Sequence, residues 1–144
     1  MNHSKDEMRV LFSKIASSVS RNTESKNDGE EWHVYSDHFH AYSSNREESV
    51  RLFSGLYEMP LKQRVWFLLF RDNPNEAETA MMKTIGMFMR ISQDDCFILA
   101  NGDTPIVMRR NGKTVVDDSR WVDREHFPYE ALGIDFEWGV IPYD

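Results

Sequence analysis

A nine-residue stretch, WHVYSDHFH, concentrates the side chains in this sequence that could do chemistry. Its candidates are His33, Asp37, His38 and His40. Imidazole and carboxylate groups are zinc ligands, and imidazole also titrates near neutral pH, as a general acid or base must. In a continuous strand His38 and His40 share one face while His33 and Asp37 share the other. The polar residues Ser36-Asp37 predict a break in the strand there, by a bend or a hairpin, and a shared site would need that break to bring His33 round.

The motifs that usually accompany such chemistry are missing from the sequence. No His-Glu-x-x-His or Cys-x-x-Cys pattern occurs, and His126 is a distant third candidate ligand. Cys96 begins the apolar run CFILA, which indicates a small buried hydrophobe and not a nucleophile. Two interpretations of the histidines stay open, a metal or acid–base centre and strand histidines that are hydrogen-bonded or solvated. The second is favoured, so we expect no catalytic residues, no metal site and no cofactor.

Charge and composition narrow the classes of partner. The 144 residues carry 17 Lys and Arg against 24 Asp and Glu, a formal net charge of −7. This sign opposes binding to nucleic acid and to anionic membrane surfaces. No apolar run reaches the roughly 18 residues of a membrane-spanning helix, and the first residues do not resemble a secretory signal. The single cysteine fits a reducing compartment, so a cytoplasmic location is expected.

The hydrophobic pattern predicts one α+β domain over residues 1–144. An amphipathic N-terminal helix is expected within 1–21, a polar linker over 22–31, and the main body over 32–144. A mostly antiparallel sheet should end in a C-terminal three-strand meander, with the helices packed on one face. The run VWFLLF predicts a strand covered on both faces, and Asn73-Pro74 predicts the start of a helix.

Turn residues define the limits of the meander. The strands CFILA, PIVMRR and KTVVD are separated by Asn101-Gly102 and Asn111-Gly112. Asn-Gly readily adopts the positive φ angles that tight hairpins need. A short helix near Tyr129–Leu132 and a strand around 136–141 are expected beyond the meander.

The excess negative charge lies almost entirely near the C-terminus. From Asp117 to Asp144 eight acidic side chains face two arginines, a net of −6, and six aromatic residues are interleaved with them. Aromatic anchors within a charged surround are typical of a protein–protein interface, where the charges steer a partner of opposite sign. The candidate partner-binding residues are Asp117, Asp118, Trp121, Asp123, Glu125, Glu130, Asp135, Glu137 and Trp138.

The region from about residue 63 to 121 resembles the small immunity proteins of bacterial polymorphic-toxin and contact-dependent inhibition systems. The similarity lies in RVWFLLFRD, the Asn-Pro-capped helix with its Met/Ile/Phe stripe, DCFILANG, and the strand and turn ending in NGKTVV. It implies a protein that binds and neutralises a cognate toxin domain by occluding its active site. A nuclease with a basic surface would suit the acidic segment. These motifs are structural, so the resemblance carries no functional residue across.

Two other functions stay open from the sequence. One is a metal-dependent or acid–base enzyme that uses His33, His38 and His40. The other is a dimerising adaptor with Trp121 and Trp138 in a self-interface. The sequence does not specify the partner's identity or the oligomeric state.

Overall fold

The computed structural model describes residues 5–27, 31–43, 47–57, 61, 64–70, 72–100, 104–119 and 127–142. Three helices lie within these ranges: α1 (Lys5–Val19), α2 (Glu47–Tyr57) and α3 (Pro74–Ser92). Eight strands and a 3₁₀ helix over Tyr129–Leu132 complete the described elements. The strands are β1 (Glu24–Asn27), β2 (Trp32–Tyr35), β3 (Phe39–Ser43), β4 (Val65–Leu69), β5 (Cys96–Ala100), β6 (Thr104–Arg110), β7 (Lys113–Val116) and β8 (Glu137–Trp138).

The first sheet has the order β1-β2-β3-β4, with all neighbours antiparallel. Its edge strand β1 lies inside residues 22–31, for which the polar composition predicted a linker, so that prediction is wrong for Glu24–Asn27. The polar sequence ESKN can form a strand because it pairs with β2 through its backbone, and charged residues are common on exposed edges. Residues 28–30 of the predicted linker lie outside the described part of the chain.

One face of the first sheet packs on α1 and α3. Phe12 of α1 stacks on Trp32 of β2, with ring centroids 5.5 Å apart, and on Phe88 of α3 at 4.8 Å. The buried cluster on this face also contains Val34 and Phe39. Fully burying each such side chain contributes roughly 1.5–3 kcal/mol. This cluster fixes α1 and α3 against the same side of the sheet.

Strand β4 departs from its sequence prediction. The apolar run VWFLLF predicted a strand covered on both faces, but β4 lies at the edge of the first sheet, and Leu68 is 52% exposed. Only alternate residues of a strand face the core, and Phe67 and Leu69 pack there while Leu68 points outward. The prediction of double coverage is wrong.

The second sheet has the order β5-β6-β7-β8. Strands β5, β6 and β7 are antiparallel neighbours, whereas β8 pairs with β7 in parallel. At the β6–β7 turn Asn111 and Gly112 have φ angles of 52° and 80°, as the Asn-Gly sequence predicts. The other predicted turn, Asn101-Gly102, lies outside the described residues.

Helix α3 connects the cores of the two sheets. The Asn73 side chain accepts a hydrogen bond from the Glu76 N–H and Pro74 follows it, which confirms the predicted helix start. Ala80 belongs to the core of the first sheet, whereas Met82 and Met89 belong to the core of the second. The fold is therefore α+β with an antiparallel sheet, as predicted. Among the described residues, no helix has both the length and the apolar character to cross a membrane.

Candidate partner-binding surface

The C-terminal segment exposes two large apolar side chains. Trp138 of β8 is 57% exposed and Val140 is 71% exposed, while the next residue, Ile141, is fully buried. Exposed single apolar residues are common, but tryptophan is among the residue types most enriched at the centres of protein interfaces. The sequence pattern predicted Trp138 as a partner-binding residue. It did not predict Val140, because nothing in GVIP distinguishes which of its apolar residues faces outward.

Neighbouring rings hold Trp138 in place. Its ring makes edge contacts with Tyr129 at 5.6 Å and Phe136 at 5.4 Å between centroids. Tyr129 is itself buried against Phe127, and burial together with the carboxylates of Asp118 and Asp117 raises the pKa of Tyr129 to about 12. An anchor that is already ordered loses less side-chain entropy when a partner covers it.

Exposed carboxylates lie in the same C-terminal part of the chain as these apolar side chains. Asp118, Glu130 and Asp135 are exposed, and the influence of Asp118 on Tyr129 places it close to the ring that supports Trp138. Glu137 is also exposed, but it forms an ion pair with Lys113 at 3.2 Å and so contributes less free charge. We call Asp118, Glu130, Asp135, Trp138 and Val140 the C-terminal surface.

Asp117 is a correction to the predicted set. Its side chain is only 1% exposed and binds within the chain. One oxygen accepts hydrogen bonds from the Ser119 N–H at 3.0 Å and the Ser119 hydroxyl at 2.6 Å, and the other accepts from the Ile141 N–H at 2.9 Å. Because the carboxylate is buried and hydrogen-bonded within the chain, it cannot contact a partner. Its role is structural: it hydrogen-bonds the C-terminal segment to the end of β7. Trp121, Asp123 and Glu125 lie outside the described residues.

The histidine stretch folds as a hairpin, with β2 and β3 joined through Ser36-Asp37-His38. The bend therefore occurs where it was expected, but it reverses the expected pairing of faces. His33 and His40 now share the outer face, and His33 Nδ1 lies 2.9 Å from His40 Nε2. The two histidines form a hydrogen-bonded pair.

Tyrosines enclose this histidine pair. The rings of Tyr35 and His40 stack at 4.2 Å, and Tyr42 lies 5.0 Å from His40 and 6.0 Å from His33 between centroids. Burial, and then the neighbouring His33, lower the pKa of His40 below its ordinary value. We call His33, Tyr35, His40 and Tyr42 the ring ladder.

His38 lies apart from the ring ladder. Its Nδ1 is 2.7 Å from the Ser20 hydroxyl oxygen at the end of α1, and its Nε2 is 3.7 Å from a Glu76 oxygen of α3. The three histidines therefore do not converge on one point. Within the described ranges, no three His, Cys, Asp or Glu side chains are grouped to hold a metal ion, and His126 falls outside those ranges. No sequence pattern signals the contact with Ser20, because it depends on how α1 packs against the hairpin.

Cys96 is not poised for nucleophilic chemistry. Burial is the main cause that raises the pKa of its thiol to about 11, so the thiol is protonated at neutral pH. The sequence interpretation of Cys96 as a small hydrophobe agrees with its packing against the core of the second sheet.

Comparisons with known proteins found no relative of this chain. No protein-family model matches it, and neither a curated protein nor a solved structure matches it. The resemblance to immunity proteins therefore remains a prediction from the sequence.

Proposed function

We propose that this protein binds a basic protein partner through its C-terminal surface, and that the partner is a bacterial toxin domain which binding neutralises. The observation that carries the proposal is Trp138, which is more than half exposed yet contacts Tyr129 and Phe136, in a segment that also exposes Asp118, Glu130 and Asp135. The toxin assignment comes from the sequence resemblance. The partner's basic character comes from the charge of the segment, −6 of the chain's −7.

The proposed mechanism has two stages. Opposite charge first raises the rate at which the partner's basic surface meets the acidic segment, an effect that salt screens over about 8–10 Å. Trp138 and Val140 are then covered, and their desolvation slows dissociation. A partner whose substrate groove is basic would be blocked because the acidic surface occupies that groove. Neutralisation of this kind requires no catalytic residue.

The test begins with the neighbouring reading frame, which the proposal expects to encode a large secreted protein with a toxin domain at its C-terminus. Binding kinetics of that domain are then measured at several salt concentrations, and a neighbourhood without such a frame counts against the toxin assignment. Trp138→Ala should raise Kd about 30-fold or more, mainly through faster dissociation, as removal of a central interface tryptophan does. The triple variant Asp118→Lys, Glu130→Lys, Asp135→Lys should slow association and flatten its dependence on salt.

A control with the same change in net charge tests whether affinity depends on charge at the C-terminal surface or on the net charge of the whole protein. The triple variant Asp6→Lys, Glu24→Lys, Glu48→Lys changes the same number of exposed acidic residues, on α1, β1 and α2. It should retain most of the affinity and all of the protection of cells that express the toxin domain. If both triple variants lose affinity equally, or if Trp138→Ala binds like the natural protein, the C-terminal surface is not the interface. The mass of the protein in solution is also measured across a dilution series. A mass that rises to twice that of the monomer at high concentration, and stays at the monomer value in Trp138→Ala, would instead favour the dimerising adaptor.

A further inference from the structure

A cavity of about 440 Å³ lies where the end of α1, the β2–β3 turn and the start of α3 meet. Its lining includes a hydroxyl, an imidazole and a carboxylate, contributed by one residue from each of these regions. They are Ser20, His38 and Glu76. The cavity is separate from the C-terminal surface and takes no part in the proposed binding of a toxin.

The hydroxyl, the imidazole and the carboxylate follow one another in the order that proton transfer from the hydroxyl requires. Ser20 Oγ lies 2.7 Å from His38 Nδ1, within hydrogen-bond distance, and His38 Nε2 faces a Glu76 oxygen at 3.7 Å. In the neutral tautomer with hydrogen on Nε2, the Nδ1 lone pair accepts the Ser20 hydroxyl proton while Nε2–H points toward the carboxylate. Nucleophile, base and orienting acid are the parts that activate a serine in hydrolases on unrelated folds.

We propose that Ser20 is an activated nucleophile that takes an acyl group from a small ester entering this cavity. Ser20 Oγ bonds to the ester carbonyl carbon as its proton passes to His38 Nδ1. The bond from that carbon to the alkoxy oxygen then breaks, and the leaving oxygen takes the proton from His38. Water, deprotonated by His38, next attacks the acyl-serine, and the proton returns to Ser20 as the carboxylic acid departs.

The remaining lining defines the substrate class. Val19, Phe70 and Ala77 offer apolar surface to an acyl chain, and Arg21 and Asn73 carry N–H donors suited to the oxygen that becomes negative. The acidic residues of the lining are Asp37, Asp72 and Glu76, which give it more negative than positive formal charge. A short, uncharged acyl group therefore fits, and an acyl chain ending in a carboxylate is repelled.

Glu76 is a positioning residue with a modest effect. Its side chain is 66% exposed and 3.7 Å from His38, so solvent screens the interaction. Ser20 is 8% exposed, which limits reaction to esters that enter the cavity. His38 is the residue on which acylation depends most after Ser20 itself.

The first experiment maps the acyl group on the protein without any substitution. The protein is treated with p-nitrophenyl butyrate, nitrophenolate release is followed, and the acylated residue is identified by peptide mass spectrometry. The proposal expects one acyl group on Ser20, and a half-ester of glutaric acid with p-nitrophenol should react more slowly than the butyrate. Acylation absent from Ser20, or found only on lysines, tyrosines or other histidines, overturns the proposal. This mapping does not depend on any variant folding.

Variants then test the relay. Ser20→Ala should abolish the acyl adduct, and His38→Gln should slow acylation by about 10²-fold or more, the usual contribution of a general base. Ser17→Ala, on the exposed side of α1, is the matched control and should react like the natural protein. Ser20→Cys retains a nucleophile and should still be labelled if Ser20→Ala fails to fold. An unchanged rate in folded His38→Gln overturns the relay.

Two variants distinguish positioning by Glu76 from a purely structural role. Glu76→Ala should slow acylation a few-fold, and Glu76→Asp, which retains a carboxylate, should recover part of the lost rate. Because the Glu76 side chain is 66% exposed, both variants should unfold at a temperature similar to that of the natural protein. An acylation rate in Glu76→Ala equal to that of the natural protein would remove Glu76 from the relay.

Discussion

The two outward-facing regions that the sequence singled out differ in how their aromatic side chains meet solvent. In the ring ladder, His33 stacks on Tyr35, His40 and Tyr42, and the two histidines hydrogen-bond together. On the C-terminal surface, Trp138 contacts Tyr129 and Phe136 edge to face, and more than half of it faces solvent. The stretch of sequence richest in reactive residue types is therefore not the surface with the most exposed aromatic area.

The difference has a physical cause. Neighbouring positions on paired strands bring side chains to within about 4.5–5.5 Å, so aromatic residues in a hairpin cover one another. The segment from Tyr129 to Val140 contains only a 3₁₀ helix and the two-residue strand β8. Among the described residues, strand pairing in this segment is limited to Glu137 and Trp138, which pair with β7. The ring ladder gains local stability, and the C-terminal surface retains area that a partner can cover.

The largest expected effect concerns the contact that holds the C-terminal surface on the rest of the fold. A Cβ on Gly86 of α3 would overlap the Leu132 carbonyl in the 3₁₀ helix, and the atoms in the way are backbone. Gly86→Ala should therefore reduce the free energy of unfolding by about 3 kcal/mol, the upper range for overpacking. Urea denaturation followed by circular dichroism measures the change.

Gly55 of α2 provides the control for that substitution. It also lies in a helix, but a Cβ there meets nothing within 4 Å among the described residues. Gly55→Ala should stabilise by about 0.5–1 kcal/mol, because alanine loses less backbone entropy in a helix. Equal effects of the two substitutions would contradict the close approach of α3 and the 3₁₀ helix.

The next largest effect is a difference in stability between substitutions of two adjacent aspartates, Asp117 and Asp118. Asp117→Ala removes the acceptor for three hydrogen bonds and leaves the buried Ile141 N–H without that partner. The expected cost is about 2 kcal/mol, with faster amide exchange around Ile141. Asp118→Ala, on an exposed side chain, should change stability by less than about 0.5 kcal/mol and should instead weaken partner binding. If Asp117→Ala is as stable as Asp118→Ala, the fastening role of Asp117 is wrong.

Periodicity and turn chemistry were sufficient to predict most of the elements. Asn73-Pro74 located the start of α3, Asn111-Gly112 located a hairpin, and the polar break at Ser36-Asp37 located another. Each of these signals acts through the backbone of the residues that carry it. The edge strand β1 escaped prediction because its pairing depends on β2, and its own side chains carry no apolar pattern.

The candidate sites were harder to predict because they depend on contacts distant in sequence. Counting acidic residues could not separate buried Asp117 from exposed Asp118, since the difference arises from the Ile141 N–H, 24 residues away. Ser20 drew no attention because its partner, His38, comes from another part of the fold. A composition argument identified the region that carries the charge, whereas tertiary packing decides which members of it face outward.

The smallest expected effect is a pH dependence of stability that arises from His40 in the ring ladder. Because the pKa of His40 is lowered in the folded protein, the unfolded chain binds more protons below its ordinary pKa near 6.5. The resulting stability is fully present above that pH and is lost as the pH falls through it toward the lowered value. The midpoint temperature of thermal unfolding should therefore fall between pH 8 and pH 5. The fall should be smaller in His33→Gln, which removes the charge of His33 but not the burial of His40.

Asp118→Ala should leave this decline unchanged, because the acidic C-terminal surface takes no part in the histidine pair. A decline of equal size in the natural protein and in His33→Gln would show that His33 does not contribute to the lowered pKa of His40, which would then come from burial alone.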